Sequence, residues 1–272
     1  MTWIGVAGLY TQIIMARPVV TLLSDFGTRD YYVGALKGTL LRLAPETRLV
    51  DITHEVAPGD ILEAAFLLEA SRRHFAPGTI HLAVVDPGVG SKRDILAARD
   101  QGALFVAPDN GLLSFLPEDA ETRRVDARDL FLEGPGATFH GRDRFAPVAA
   151  YLARGEPLES LGRRVESPVR LAQSAPRRGA DFLEGRIVHI DRFGNLVSDI
   201  PSRWLPSPVP RLSCRLPGLE ITRTASHYAE LEEGEAALIP GSLGTLEISC
   251  NGRSAAAATE MGRGRTLRVD FR

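Results

Sequence analysis

The sequence predicts an α/β fold: an N-terminal α/β/α sandwich on a mostly parallel sheet, followed by a C-terminal small antiparallel β-barrel domain. Three observations predict it. Short β-branched apolar runs alternate with segments of helical period from residue 18 to about residue 107, the signature of βαβ units and a parallel sheet. Each run ends in a polar, often acidic, turn, as strands do at the rim where α/β sheets bind ligands. Beyond residue 181 the helical period stops, and short strand candidates follow one another between Gly and Pro turns.

The elements follow in order. Pro18–Leu23 reads as a buried parallel strand that delivers Ser24, Asp25, Phe26 and Gly27 to its end. Asp30 is the expected N-cap of a helix reaching about Leu43, before Pro45. Arg48–Ile52 is the next strand, and Gly59–Phe75 the next helix, with Ile61, Ala64, Ala65, Leu68 and Ala70 on one face. Thr79–Val85 is the third strand. Ile95–Ala98 and Ala103–Ala107 flank a turn at Asp100–Gly102 and end in Asp109, Asn110 and Gly111. Ala137–Phe145 then feeds a helix to about Ala153. This domain is expected over residues 15–170, a linker rich in Pro, Arg, Ser and Gly over 171–181, and the barrel over 182–272. Its strand candidates are Phe182–Ile190, Asn195–Ile200, Arg211–Leu216, Leu219–Thr224, Glu235–Ile239, Thr245–Ser249 and Arg265–Phe271.

Composition narrows the function. With 44% apolar and 24% charged residues the chain is an ordinary globular one, and a net charge of −2 points to neither nucleic acid nor an anionic membrane. Two cysteines, Cys214 and Cys250, form no zinc spacing and no disulfide framework, so a reducing, cytoplasmic setting is expected. Residues 1–14 lack a basic start and a cleavage site and are too short to span a bilayer. They read as an extension outside the fold, with Met15 opening it.

The stretch richest in chemistry is Ala83–Arg93, AVVDPGVGSKR. Apolar residues deliver Asp86 to a strand end, Pro87, Gly88 and Gly90 turn the chain, and Arg93 follows at the start of the next apolar run. A carboxylate and a guanidinium meeting at a sheet rim form a charged pair of fixed geometry. No GxGxxG follows the first strand and no GxxxxGK[ST] is present, which counts against dinucleotide and P-loop binding.

Six ordered segments carry a resemblance: SDFGTRD at Ser24–Asp30, VDPGVGSKR at Val85–Arg93, APDNGLLS at Ala107–Ser114, TFHGRD at Thr138–Asp143, DRFGNLVSDI at Asp191–Ile200 and GSLGTLEIS at Gly241–Ser249. Together the chain resembles the S-adenosyl-L-methionine hydrolases that form adenosine, relatives of the fluorinase and chlorinase enzymes. The resemblance implies a homotrimer with the ligand between subunits and no metal or organic cofactor. It implies an Asp–Arg–His triad around a water, at Asp86, Arg93 and His140. The halogenating branch has a tyrosine where Asp86 stands, and the fluorinase a serine where Gly141 stands, so hydrolysis is implied rather than halogenation. By the same match Asp25 holds the ribose hydroxyls, Asp191 and Ser242 the methionine amino and carboxylate ends, and Phe193 and Asn195 line the adenosine, with Glu247 an extra contact. Leu243 departs from the pattern, standing where the fluorinase has an arginine.

The chemistry is consistent with these residue types. A sulfonium leaves without help from an acid, so the task is to aim a water at the ribose C5′. Holding the attack geometry lowers such a barrier by roughly 7–11 kcal/mol, and a general base adds about 10²–10⁴-fold. Either His140 or Asp86 takes the proton. Two other readings compete: an S-adenosylmethionine or adenosine sensor without turnover, and a metal-dependent phosphoesterase. The second lacks a DxH after the first strand, a GNH[DE] and an HExxH.

Overall fold

The computed structural model describes residues 17–133, 138–172 and 174–272, so residues 1–14, expected as an extension, lie outside the described residues. The chain forms two compact units. The first holds the described residues up to Arg170 except Ala65–Ala70, and the second holds those six residues and the chain from Leu171 to Arg272.

The first unit is built from β1 (Val19–Ser24), α1 (Tyr32–Leu43), β2 (Arg48–Thr53), α2 (Ile61–Arg72), β3 (Ile80–Val84), β4 (Ile95–Asp100), β5 (Ala103–Pro108), β6 (Glu121–Arg124) and α3 (Ala146–Ala153). A single π-helical turn, Gly141–Phe145, leads into α3. The six strands lie in the order β2-β1-β3-β5-β4-β6. The first four of that order run parallel, and β4 runs antiparallel to both its neighbours. The parallel strands are Val-, Ile- and Leu-rich because helices cover them. Leu36 and Leu40 of α1 and Phe145, Val148, Ala149 and Leu152 near and in α3 form one core with Val20, Leu22, Leu82 and Val106 of the sheet. Phe105 alternates with Val106 and so faces the other side, where Arg72 at the end of α2 rests 5.9 Å from its ring and pairs with Asp100 at 2.8 Å.

The chain steps from β1 outward to β2, then returns to place β3 on the other side of β1. This reversal is a topological switch point, where the crevice outside the strand ends opens for a ligand. Ser24 pairs with Val84 across it, so Asp25 and Asp86 leave the sheet from neighbouring strand ends.

Two local expectations need correction. Asp30 does not cap α1: the helix begins after Tyr31, whose position makes no side-chain cap, and Tyr31 and Tyr32 stack at 4.6 Å instead. The helix after the second strand is shorter than Gly59–Phe75, because Asp60 caps it by accepting a hydrogen bond from Glu63 N at 2.9 Å. The β4–β5 turn falls where the sequence puts it. Gln101 and Gly102 both take positive φ, as a two-residue turn between twisted antiparallel strands requires.

The second unit contains β7 (Arg177–Arg178), β8 (Phe182–Ile190), β9 (Leu196–Pro201), β10 (Leu212–Leu216), β11 (Leu219–Ile221), β12 (Ala236–Pro240), β13 (Thr245–Cys250), α4 (Ala255–Thr259) and β14 (Thr266–Phe271). The strands run in the order β11-β10-β14-β8-β9-β13-β12, with β7 added on β8. The sheet nearly closes on itself: a bridge from Thr224 to Leu238 ties the segment after β11 to β12. Inward-facing Leu183, Ile187, Leu196, Leu212, Ile248 and Leu267 fill the interior with both cysteines. Burial pushes the Cys214 thiol up to about 12. Within 171–181, read as a linker, Arg177 and Arg178 pair with Glu184 and Leu183.

Candidate active site

Asp86 follows β3 and heads a glycine turn that brings Arg93 back to it. Arg93 Nε donates to Asp86 Oδ2 at 2.9 Å, and one terminal nitrogen donates to the same oxygen. That terminal nitrogen also lies 3.0 Å from His140 Nδ1. The guanidinium rests over the Phe145 ring at 4.9 Å, which holds its plane. Asn110, at the end of β5, braces the turn by donating to Val85 O at 2.9 Å.

The order of donors fixes the histidine's proton. A guanidinium only donates, so His140 Nδ1 accepts, and the neutral ring carries its hydrogen on Nε2. Burial, reinforced by the Arg144 and Arg93 charges, holds His140 below its ordinary pKa against the pull of Asp86 and Asp143. Two buried polar atoms of this group have no partner: His140 Nε2, a donor, and Asp86 Oδ1, an acceptor. Buried polar atoms are seldom left unmatched, and such a pair suits a small molecule that both gives and receives hydrogen bonds.

The Asp25 turn lies against the same group. Asp25 Oδ2 accepts from Gly59 N at 2.8 Å, and a Cβ on Gly59 would stand 3.5 Å from the Pro87 side chain, so one glycine touches both acidic turns. Phe26 reaches to Gly141, beside His140, and packs on Phe139 edge to face at 5.7 Å. A Cβ on Gly141 would fall 3.0 Å from Phe26 Cζ and 3.2 Å from Phe139 Cε2. The structure therefore brings Asp25, Asp86, Arg93 and His140 together at the switch point.

In the second unit, the β8–β9 turn is organised by Asp191, which accepts from Phe193 N and Asn195 N, each at 2.9 Å, and from Asn195 Nδ2 at 2.7 Å. Gly194 in this turn has φ +83° and lies so close to Ser254 that any Cβ would collide with it. Phe193 stands 78% exposed at the tip. Asn195 Nδ2 also lies 3.4 Å from Tyr228 Oη, which donates to Glu247 Oε1 at 2.9 Å. The β12–β13 turn carries Ser242, and its Gly241 backs directly onto Glu247. Burial and the Asp191 charge raise the Glu247 carboxyl, against the lowering effect of the Tyr228 bond. So Asp191, Asn195, Glu247 and the Ser242 turn share one end of this unit. Tyr228, which links them, is not marked by the sequence: it opens a single 3-10 turn, Tyr228–Glu230, too short to show a period. Among the described residues no group of three or more His, Cys, Asp or Glu is arranged to hold a metal ion, and no helix is long and apolar enough to cross a membrane.

Comparison with known proteins gives a consistent picture. Residues 20–162 match the family described as SAM hydroxide adenosyltransferase N-terminal domain, and residues 185–268 its C-terminal domain. An (R)-S-adenosyl-L-methionine hydrolase of Salinispora tropica is 39% identical over 93% of this chain and 97% of its own. One from Thermus thermophilus is 37% identical over 93% and 99%. Fluorinases stand further off, at 31% identity for that of Nocardia brasiliensis. An uncharacterised conserved protein from Thermotoga maritima has a crystal structure that superposes with a TM-score of 0.87 at 34% identity, covering 92% of this chain and 99% of its own.

Proposed function

This chain belongs to the SAM hydroxide adenosyltransferase family, and we propose that Asp86, Arg93 and His140 form its reaction centre. The reaction is hydrolysis of S-adenosyl-L-methionine to adenosine and L-methionine. The protein is an enzyme rather than a sensor. The relatives' names specify the (R) form at sulfur, and that epimer is the substrate expected here.

The observation that carries the assignment is the pair of unmatched atoms, Asp86 Oδ1 and His140 Nε2. A water seated there accepts from His140 Nε2–H and donates to Asp86 Oδ1. Its remaining lone pair is then free for the ribose C5′. As the C5′–O bond forms, the C5′–S bond breaks and the electron pair returns to sulfur as a neutral thioether. The water's proton passes to Asp86, the one free acceptor of the group. His140 positions the water and does not take its proton, because its basic nitrogen already faces Arg93. Arg93 stabilises the developing hydroxide character and holds both partners in register, an electrostatic contribution of the preorganised kind.

Asp25 receives the ribose hydroxyls on its free oxygen, and Asp191 offers a countercharge to the methionine ammonium. Ser242 and backbone donors take the methionine carboxylate, while Phe193, Asn195 and Glu247 line the remainder. The homotrimer with substrate between subunits rests on the family resemblance, and a cytoplasmic setting without nucleic acid or membrane partners rests on the cysteine usage and the net charge of −2.

The test is chromatography of each sulfur epimer of S-adenosylmethionine incubated with pure enzyme, and with His140→Ala and Asp86→Asn. Adenosine and methionine from the native enzyme, with both variants reduced at least about 10²-fold, are the expected outcome. A fully active Asp86→Asn enzyme would remove Asp86 as the proton acceptor.

A further inference from the structure

Behind the Asp25 turn lies a buried polar chain that the reaction centre does not use. Ser24, the last residue of β1, is fully buried, and its Oγ lies 2.7 Å from His54 Nδ1. His54, at 3% exposure, follows β2, and its Nε2 lies 3.2 Å from Asp51 Oδ1, an electrostatic contact rather than a linear hydrogen bond. Asp51 Oδ2 in turn receives Lys37 Nζ at 2.6 Å. Although burial pushes the Asp51 carboxyl up, the hydrogen bond from Lys37 and the attraction of Lys37 and His54 outweigh it and hold the group below its ordinary pKa.

These contacts set a direction. The Asp51 carboxylate attracts the hydrogen to His54 Nε2, so Nδ1 accepts and the Ser24 hydroxyl donates to it. Ser24 Oγ is then left to accept from Phe26 N, 3.4 Å away. The same strand end grips the turn by its backbone and side chains: Gly27 N donates to His54 O at 2.7 Å, and Thr28 Oγ1 to Glu55 at 2.9 Å. Gly59 N, further along the same segment, holds one oxygen of Asp25. Ser24, Asp25, Gly27 and Thr28 are thus each tied to residues 54–59, and Phe26 is tied to Ser24.

A serine beside a histidine and an aspartate suggests nucleophilic catalysis, but full burial of Ser24 excludes that role. We propose instead that the Asp51–His54–Ser24 chain is a positioning device: it fixes the Ser24–Gly27 turn so that the second oxygen of Asp25 faces the ribose hydroxyls. His54 acts through Ser24 and the backbone and touches no substrate. The inference rests on the ribose-holding role of Asp25 given above, and it extends that role to residues far from the reacting atoms.

Calorimetric binding of adenosine and of 2′,3′-dideoxyadenosine, which lacks the hydroxyls Asp25 would hold, tests it. The native enzyme is expected to prefer adenosine by at least about tenfold, the size of a hydrogen bond to a charged group. His54→Ala should reduce that preference to within about threefold by weakening adenosine alone. His54→Asn, which keeps a polar atom near the Nδ1 position, should restore part of it. Ser24→Ala, a small change within a buried strand end, should reproduce the His54→Ala result if that variant does not fold. Undiminished preference in His54→Ala or Ser24→Ala overturns the inference, as does an equal weakening of both ligands, which marks a merely structural role. A native enzyme indifferent to the hydroxyls would overturn the ribose reading of Asp25 and this inference with it, and so separates the two failures.

Discussion

Arg93 donates to Asp86 and to His140 from the same terminal nitrogen, the latter contact being 3.0 Å. One side chain therefore sets both the orientation of a carboxylate and the tautomer of an imidazole. Lysine brings a single ammonium without the planar fork. Arg93→Lys is expected to lower kcat by about 10²-fold or more, while KM changes little. Single-turnover kinetics at saturating substrate check this, since they separate chemistry from binding.

Gly141 has no room for a side chain, because a Cβ there meets the Phe26 and Phe139 rings at 3.0 and 3.2 Å. Gly141→Ala should cost about 1–3 kcal/mol of stability and should also shift Phe26, moving its neighbour Asp25. Urea unfolding measures the first effect. A rise in KM for S-adenosylmethionine larger than that for Gly38→Ala, where nothing lies within 4 Å of the added carbon, measures the second.

Tyr228 joins Asn195 to Glu247 through its hydroxyl. Tyr228→Phe leaves a half-buried carboxyl without its donor, an effect of about 1–3 kcal/mol. We expect KM to rise about tenfold with kcat held within a few-fold. An unchanged KM would place Tyr228 outside substrate binding.

His81 provides a pH signature of folding. Thr21 Oγ1 lies 2.7 Å from its Nδ1, and Phe105 stacks on the ring at 5.0 Å. Burial first, and then the Arg72 charge, lower its pKa to about 4 from 6.5. In the unfolded chain the same ring takes a proton near 6.5. Between these values the unfolded state binds more protons, so stability is full above pH 6.5 and falls as pH drops toward 4. His140 adds in the same direction. From pH 7 to pH 5 the loss assigned to His81 is about 2 kcal/mol. Urea titrations at the two pH values should show a smaller loss in His81→Gln.

The legible parts of the fold are those where one physical cause acts alone. β1 and β3 read clearly because helix-covered parallel strands are apolar on both faces. β6, ETRR, was invisible: an edge strand shows charge to solvent, and Arg123 and Glu121 pair with each other there. α4 was hidden in SAAAAT, where five residues give no period to read, although Ser254 caps it by accepting from Ala257 N at 3.0 Å. Asp86, Arg93 and His140 were legible as strand-end and turn residues that resemble a family pattern. Their proximity, and the direction of hydrogen bonding that makes His140 a donor, are properties of the tertiary fold that no local pattern carries. The contacts from Gly59 to Asp25 and from Tyr228 to Glu247 join residues 34 and 19 positions apart, and no local pattern encodes them.

The two native thiols offer an experimental opening. Cys214 and Cys250 are enclosed within the second unit and raised by burial away from the reactive thiolate form. Maleimide reagents should therefore leave the folded enzyme almost untouched. A cysteine placed at position 193, the most exposed large apolar side chain among the described residues, would be the one site to accept a fluorophore. The wild-type sequence thus already serves as a quiet background for testing by emission whether substrate reaches that turn, with no native residue removed but Phe193.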